Sequence, residues 1–173
     1  FDSTSKITFA GGGVGFVSAA SNVLQSLSAH LSVQTVGPDK VNQLRHARFL
    51  SGRIAEHMEQ HATILRPKFA LVDRMLSEQL GALDIASWTQ PNGGYFISLD
   101  VLPGLAKKVV AMAKTAGLVL TPAGATFPYG IDPEDRNVRI APTFGSLSEL
   151  QGAMQILTLC VKLASARHLL AQG

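Results

Sequence analysis

The sequence carries one cysteine, Cys160, among 173 residues, so no disulfide can form within the chain. Cys160 sits in the apolar run Ile156-Leu157-Thr158-Leu159-Cys160-Val161 and is expected to be a small buried hydrophobe. A reducing, cytoplasmic setting fits that usage. No stretch is long and apolar enough to span a bilayer, because Lys162 and Arg167 interrupt the best one, and no signal-peptide pattern is present. Basic residues are not massed either. Lys107 and Lys108 are the only adjacent pair and the formal net charge is +3, which argues against a nucleic-acid partner. Repeats and low-complexity tracts are absent. What is present is a globular composition, 46% apolar and 16% charged, in a length that suits one ordinary domain better than two. The chain opens Phe1-Asp2-Ser3-Thr4-Ser5-Lys6 without an initiator methionine and reads as part of a longer protein.

Residues 1–15 read as an extended segment entering a glycine-rich loop, Gly11-Gly12-Gly13-Val14-Gly15. From Val17 to Leu31, apolar residues Val23, Leu24, Leu27 and Leu31 recur at helical spacing. Gly37-Pro38-Asp39 breaks and restarts the chain, with Pro38 suited to a first helical position and Asp39 to a helix N-terminus. A polar helix is expected to about Ala62. A second should follow Pro67, with Phe69, Val72, Leu76 and Leu80 on one face. Asn92-Gly93-Gly94 signals a turn into a strand over Tyr95–Leu99. Leu105–Ala116 reads as a helix stopped by Gly117, Leu118–Leu120 and Val138–Ala141 as short strands, and Ser146 with Glu149 as a capping box opening a last helix to about Leu170. Strands with helices on one face make an α+β arrangement.

Several chemistries are argued down by pattern. The glycine loop lacks the Lys-Ser/Thr pair of a phosphate-binding loop, and Phe16 stands where a dinucleotide fingerprint needs glycine. His57 and His61 have the spacing of a metal pair on a helix, but no third ligand accompanies them. With Glu56, Glu59 and Gln60 around them they read as a solvated face, and no metal site is expected. Lys6 is more suggestive, because Ser3, Thr4, Ser5 and Thr8 surround it with hydroxyls. An imine-forming lysine must be able to lose its proton and must be held still. On composition alone it equally suits an exposed lysine in a Ser/Thr-rich end. Arg139, flanked by Val138 and Ile140, needs a partner. That partner is either a substrate carboxylate gripped by two parallel hydrogen bonds or one of Asp132, Glu134 and Asp135.

Together these pieces resemble one family. Ser3-Thr4-Ser5-Lys6 resembles the Ser-x-Ser-Lys signature of fold-type I aminotransferases dependent on pyridoxal 5'-phosphate (PLP). Asn92-Gly93-Gly94-Tyr95-Phe96 resembles the family's Gly-Gly-aromatic strand, Thr121–Phe127 its Pro-Gly-x-x-Phe loop, and Arg139-Ile140-Ala141 its carboxylate-binding arginine motif. The stretch Gln34–Leu50 is similar to an atypical aspartate aminotransferase subgroup. The resemblance implies a C-terminal part of such an enzyme. Residues 1–36 would end the large PLP-binding domain, 37–80 would form long interdomain helices, and 81–173 would form a small α+β domain with a short, mostly antiparallel sheet covered by helices. It implies that Lys6 holds PLP as a Schiff base and moves a proton, that Ser3 and Ser5 bind its phosphate, that Arg139 clamps the α-carboxylate, and that Tyr95 or Phe96 lines the pocket. The reaction implied is transfer of an amino group to a 2-oxo acid, with aspartate or glutamate as donor, in a homodimer. Alternatives are a PLP lyase or decarboxylase, and the aminotransferase-like effector domain of a transcription regulator. One departure stands out. Many members carry an arginine eight positions after the lysine to neutralise the phosphate, and here that position is Val14. The residues that stack on the ring and pair with its nitrogen lie upstream in the family, so this chain alone is expected to be inactive.

Overall fold

The computed structural model describes residues 2–9 and 11–172, so Phe1 at the head of the expected extended segment, Ala10 and Gly173 lie outside it. The chain divides into two compact units, Phe1–Thr63 and Ile64–Gly173.

In the first unit, β1 (Asp2–Ser3) pairs antiparallel with β2 (Gly15–Phe16). The hairpin between them holds Lys6 and the glycine loop. Helix α1 (Ser21–Gln34) forms where the apolar spacing predicts it, but none of its residues is buried, and Val23, Leu24 and Leu31 are exposed. Helix α2 (Lys40–Leu50) begins two residues later than Pro38 suggests. Asp39 is its cap, accepting the Asn42 N–H at 3.0 Å, which satisfies a first-turn donor.

The expected helical stretch to Ala62 is in fact broken early. α2 stops at Leu50 and α3 (Ile54–Leu80) starts after a break of three residues. Gly52 at φ +69° supplies the left-handed step that ends a helix, at a position where a side chain would be strained. Pro67, expected to precede a helix, instead lies inside α3, which runs through it. A proline there removes one main-chain donor, yet the helix runs on into the stretch from Leu71 to Leu80 that is buried in the second unit's core.

That second unit has one core. The C-terminal half of α3 gives Leu71, Val72, Met75, Leu76 and Leu80, a single helical stripe. A three-stranded antiparallel sheet runs in the order β3 (Ala86–Trp88), β4 (Ile97–Val101), β5 (Asn137–Ile140). Ile97, Leu99 and Val101 alternate inward from β4, and Val138 and Ile140 from β5. Helix α5 (Leu147–Leu170) adds Met154, Leu157, Val161 and Ala164, and α4 (Ala106–Thr115) packs on both α5 and β5. The predicted capping box is formed: the Ser146 hydroxyl accepts the Glu149 N–H and the Glu149 carboxylate accepts the Ser146 N–H. Cys160 is buried as expected, and burial pushes its thiol up from the ordinary value. No described helix is long and apolar enough to cross a membrane.

Two strand expectations change. Leu118–Leu120 is not a strand. The run leaves Gly117 with the Leu118 N–H bonded to the Ala113 carbonyl. The sheet's third member is β3, unmarked in sequence because three residues, Ala-Ser-Trp, are too short a run to display a strand period.

Asp132 organises the loop that precedes β5. Its buried carboxylate accepts the N–H groups of Glu134 at 3.1 Å, Arg136 at 2.8 Å and Asn137 at 2.8 Å. The ordered loop then caps α4 from outside, the Asp135 carbonyl accepting from Ala106 and its carboxylate from Lys107. Burial raises the Asp132 carboxyl, but main-chain donors at Asn137, Arg136, Glu134 and Asp135 outweigh it and hold the group below the ordinary value. A lowered folded value gives stability that is complete above the unfolded value, about pH 4, and is lost as pH falls through the folded one. Asp132→Asn is therefore expected to cost about 2 kcal/mol at pH 7. The gap to wild type should close below about pH 4, as read by thermal unfolding across pH. A cost unchanged in acid would show that charge plays no part.

Candidate functional site

The Lys6 turn is built by exchange between main chain and small hydroxyls. Thr4 is buried; its N–H donates to the Val14 carbonyl at 2.9 Å and its hydroxyl accepts the Val14 N–H at 2.9 Å. The Thr4 carbonyl then accepts from Ile7 and Thr8, both at 3.0 Å, so the chain turns tightly around Lys6. Thr4 therefore serves the scaffold, whereas Ser3, Ser5 and Lys6 are exposed. The structure brings these three expected residues together on one turn.

Glycine at 13 is required by close approach. A Cβ there would run into the Ser5 side chain and stand 2.8 Å from Ser5 Cα. The loop lies flat beneath Ser5 because it has no side chain. Val14, eight positions after Lys6, is occupied through its main chain with Thr4. A guanidinium reaches the glycine loop from α2 instead. Arg45 stacks 4.2 Å from the Phe9 ring centroid, and its Nη2 donates to Asn42 Oδ1 at 2.8 Å. Asn42 in turn donates to the Gly12 carbonyl at 2.8 Å.

Two histidines complete this support, and the sequence reading missed both. His46 is buried, with Nδ1 2.9 Å from the Asn42 carbonyl and Nε2 2.8 Å from the Thr8 hydroxyl. His57, expected on a solvated face, is half-buried: its Nε2 is bonded to the Ile7 carbonyl and its ring meets the edge of Phe49 at 5.1 Å. Helical spacing with His61 directed attention to metal, while the actual partner lies fifty residues upstream.

In the second unit the strand register corrects the reading of Arg139. Ser98 faces Arg139 across β4 and β5, while Ile97–Ile140 and Leu99–Val138 face the core. The flanking apolar residues point one way and the arginine the other, so alternation removes it from the core. It pairs with none of Asp132, Glu134 and Asp135. Its Nη2 donates to Thr121 Oγ1 at 3.1 Å, and its guanidinium carbon lies 4.4 Å from the Phe96 ring centroid. Its Nε is buried without a hydrogen-bond partner. Arg139 and Thr121 also line a hollow of about 180 Å³ with Leu118, Leu120 and Met154. Phe96 is thus brought to Arg139. Tyr95 is half-buried, and burial raises its phenol above the ordinary value. A buried, unfilled N–H beside a stacked and hydrogen-bonded guanidinium is the geometry of an anion receptor.

The family model for aspartate amino-transferase matches residues 1–173. The aspartate aminotransferase of Corynebacterium glutamicum is 45% identical over 170 residues, which are 97% of this chain and 39% of that protein. A Mycolicibacterium smegmatis protein assigned to the aminotransferases is 51% identical over 98% of this chain and 40% of its own length. The crystal structure of an aspartate transaminase from C. glutamicum superposes with a TM-score of 0.85 at 44% identity, over 95% of this chain and 39% of that one. The chain therefore spans about 40% of the length of the curated relatives it matches. Its fold is that of the fold-type I aminotransferases, and the chain belongs to the aspartate aminotransferase family.

Proposed function

We propose that this chain works as the C-terminal part of a PLP-dependent aminotransferase that passes an amino group from aspartate or glutamate to a 2-oxo acid. The observation that carries the reading is the Lys6 turn: one amine and two serine hydroxyls presented together on a backbone pinned by Thr4. That donor set fits a cofactor carrying an aldehyde and a phosphate. Gly13, having no side chain, lets the glycine loop lie directly against Ser5, where a Cβ would collide with the Ser5 hydroxyl. Bound PLP would supply the electron sink for bond cleavage at the substrate's α-carbon.

The chain's own residues have distinct tasks. Lys6 would hold the cofactor covalently and, once displaced by the incoming amine, carry a proton to and from the α-carbon. The Ser3 and Ser5 hydroxyls would donate to phosphate oxygens. Arg139 would grip the α-carboxylate and so fix which bond faces the lysine. Phe96 would hold the guanidinium plane, and Tyr95 would line the same pocket. Residues 1–36 would end the large domain, 37–80 would be interdomain helices and 81–173 the small domain. A homodimer in the cytoplasm is the proposed setting, supported by the apolar face of α1 that nothing in its own unit covers.

Mixing the PLP-loaded full-length polypeptide with L-aspartate or L-glutamate and 2-oxo acid should yield the matching 2-oxo product and new amino acid in equal amounts. Release of carbon dioxide or ammonia instead would replace the reading with a decarboxylase or lyase.

A further inference from the structure

We propose that His57 and His46 are positioning residues that set the direction of the Lys6 side chain by clamping the two residues that follow it. The inference rests on the reading of Lys6 as the cofactor lysine.

The clamp is visible in where the ring nitrogens land. A carbonyl oxygen can only accept, so His57 Nε2 carries the hydrogen in its bond to the Ile7 carbonyl. By the same rule His46 Nδ1 carries a hydrogen toward the Asn42 carbonyl at 2.9 Å. His46 Nε2 then stands 2.8 Å from the Thr8 hydroxyl, which also lies 2.9 Å from the Thr4 carbonyl. The peptide between Ile7 and Thr8 is held at both ends, its oxygen by His57 and its N–H by the Thr4 carbonyl at 3.0 Å. On the other side of Lys6, Thr4 is locked to Val14. The main chain is restrained on each flank while the lysine side chain is exposed.

Packing alone would not require histidine. His46, Phe9, Phe49 and His57 form a row of rings with successive centroids 5.1 Å apart, which phenylalanine or leucine could continue. What apolar rings could not do is direct an N–H at residue 7 and a nitrogen at residue 8. A lysine that must meet both a cofactor carbon and a substrate proton gains from a fixed root, since an error near 1 Å costs rate.

The test uses the PLP-loaded full-length polypeptide and compares His57→Leu with His57→Gln, which keeps an N–H donor. Two readouts are taken: single-turnover bleaching of the visible lysine-dependent band by L-aspartate, and the pH midpoint of that band without substrate. In H57L the bleaching rate should fall roughly tenfold while the half-saturating aspartate concentration changes less than about twofold. The midpoint should move by roughly half a unit or more. H57Q should restore both toward wild type. Wild-type rate and midpoint in H57L, with only thermal stability lowered, would overturn the proposal. If H57L does not fold, Thr8→Val against Thr8→Ser decides: T8V at wild-type rate and midpoint overturns it, and a loss in T8V restored in T8S supports it. A visible band that persists in Lys6→Ala would overturn the reading of Lys6 itself, independently of how the histidine variants behave.

Discussion

Replacing Lys6 by alanine in the loaded full-length enzyme is expected to lower turnover by roughly 10⁴-fold and to abolish the visible lysine-dependent absorption band. Two losses combine. The covalent hold on the cofactor goes, and so does the base that shuttles the proton at the substrate's α-carbon. A rate factor of that size corresponds to about 5.5 kcal/mol of transition-state stabilisation. The fold should not suffer. Lys6 is exposed, and the turn around it is held by main-chain bonds from Thr4 and by the Thr8 and Val14 contacts, none of which uses the lysine amine. The variant should therefore still fold, as circular dichroism would show. Conversion of L-aspartate at more than a tenth of the wild-type rate would assign the proton transfer to another group.

The contrast between Lys6 and its supports explains how far the sequence could be read. The hydroxyl-rich run around Lys6 and the glycine loop are contiguous, so their chemistry was visible as a motif. The supports are not contiguous. His46 and His57 act on residues 8 and 7 from positions 38 and 50 residues away. Nothing local in Gln43-Leu44-Arg45-His46 or Glu56-His57 marks either ring as half of a clamp. Such a contact is created by the packing of α2 and the start of α3 on the hairpin, which only the fold supplies.

The same distinction holds for secondary structure. Elements set by local chemistry were legible: the Ser146–Glu149 capping box, Gly117 at φ +90° after α4, and the strands expected over Tyr95–Leu99 and Val138–Ala141, which form at Ile97–Val101 and Asn137–Ile140. Elements decided by partners were not. Leu118–Leu120 has a strand-like composition but no ladder to join, and β3 has the ladder without the composition. Trp88 earns its place in β3 by position. It sits opposite Leu99, and its indole N–H reaches Asp73 on α3 at 3.0 Å. Alternation was also the information needed for Arg139. Once Val138 and Ile140 are assigned inward, an arginine between them must face the other way, and no buried ion pair with the 132–135 loop is needed.

Arg139→Ala should lower kcat/KM for aspartate by roughly a thousandfold, about 4 kcal/mol. The size follows from what the guanidinium already does without substrate. Stacking on Phe96 fixes its plane and Thr121 takes one Nη2 hydrogen, while the buried Nε–H is unfilled. A carboxylate arriving in that plane would meet donors whose orientation has been settled in advance, so little ordering entropy is lost on binding. Lysine at 139 keeps the charge but neither the plane nor the paired donors, and Arg139→Lys should recover no more than about tenfold of the loss. The same geometry predicts an effect on choice of substrate. Wild-type enzyme should reject an amine lacking the α-carboxylate, because the Nε–H would then stay buried and unpaired, whereas Arg139→Ala should treat the two donors nearly alike. Phe96→Leu should lie between, since it leaves the arginine charged and unstacked. A loss below about tenfold in Arg139→Ala, with the preference for carboxylate-bearing donors intact, would place the α-carboxylate on another residue.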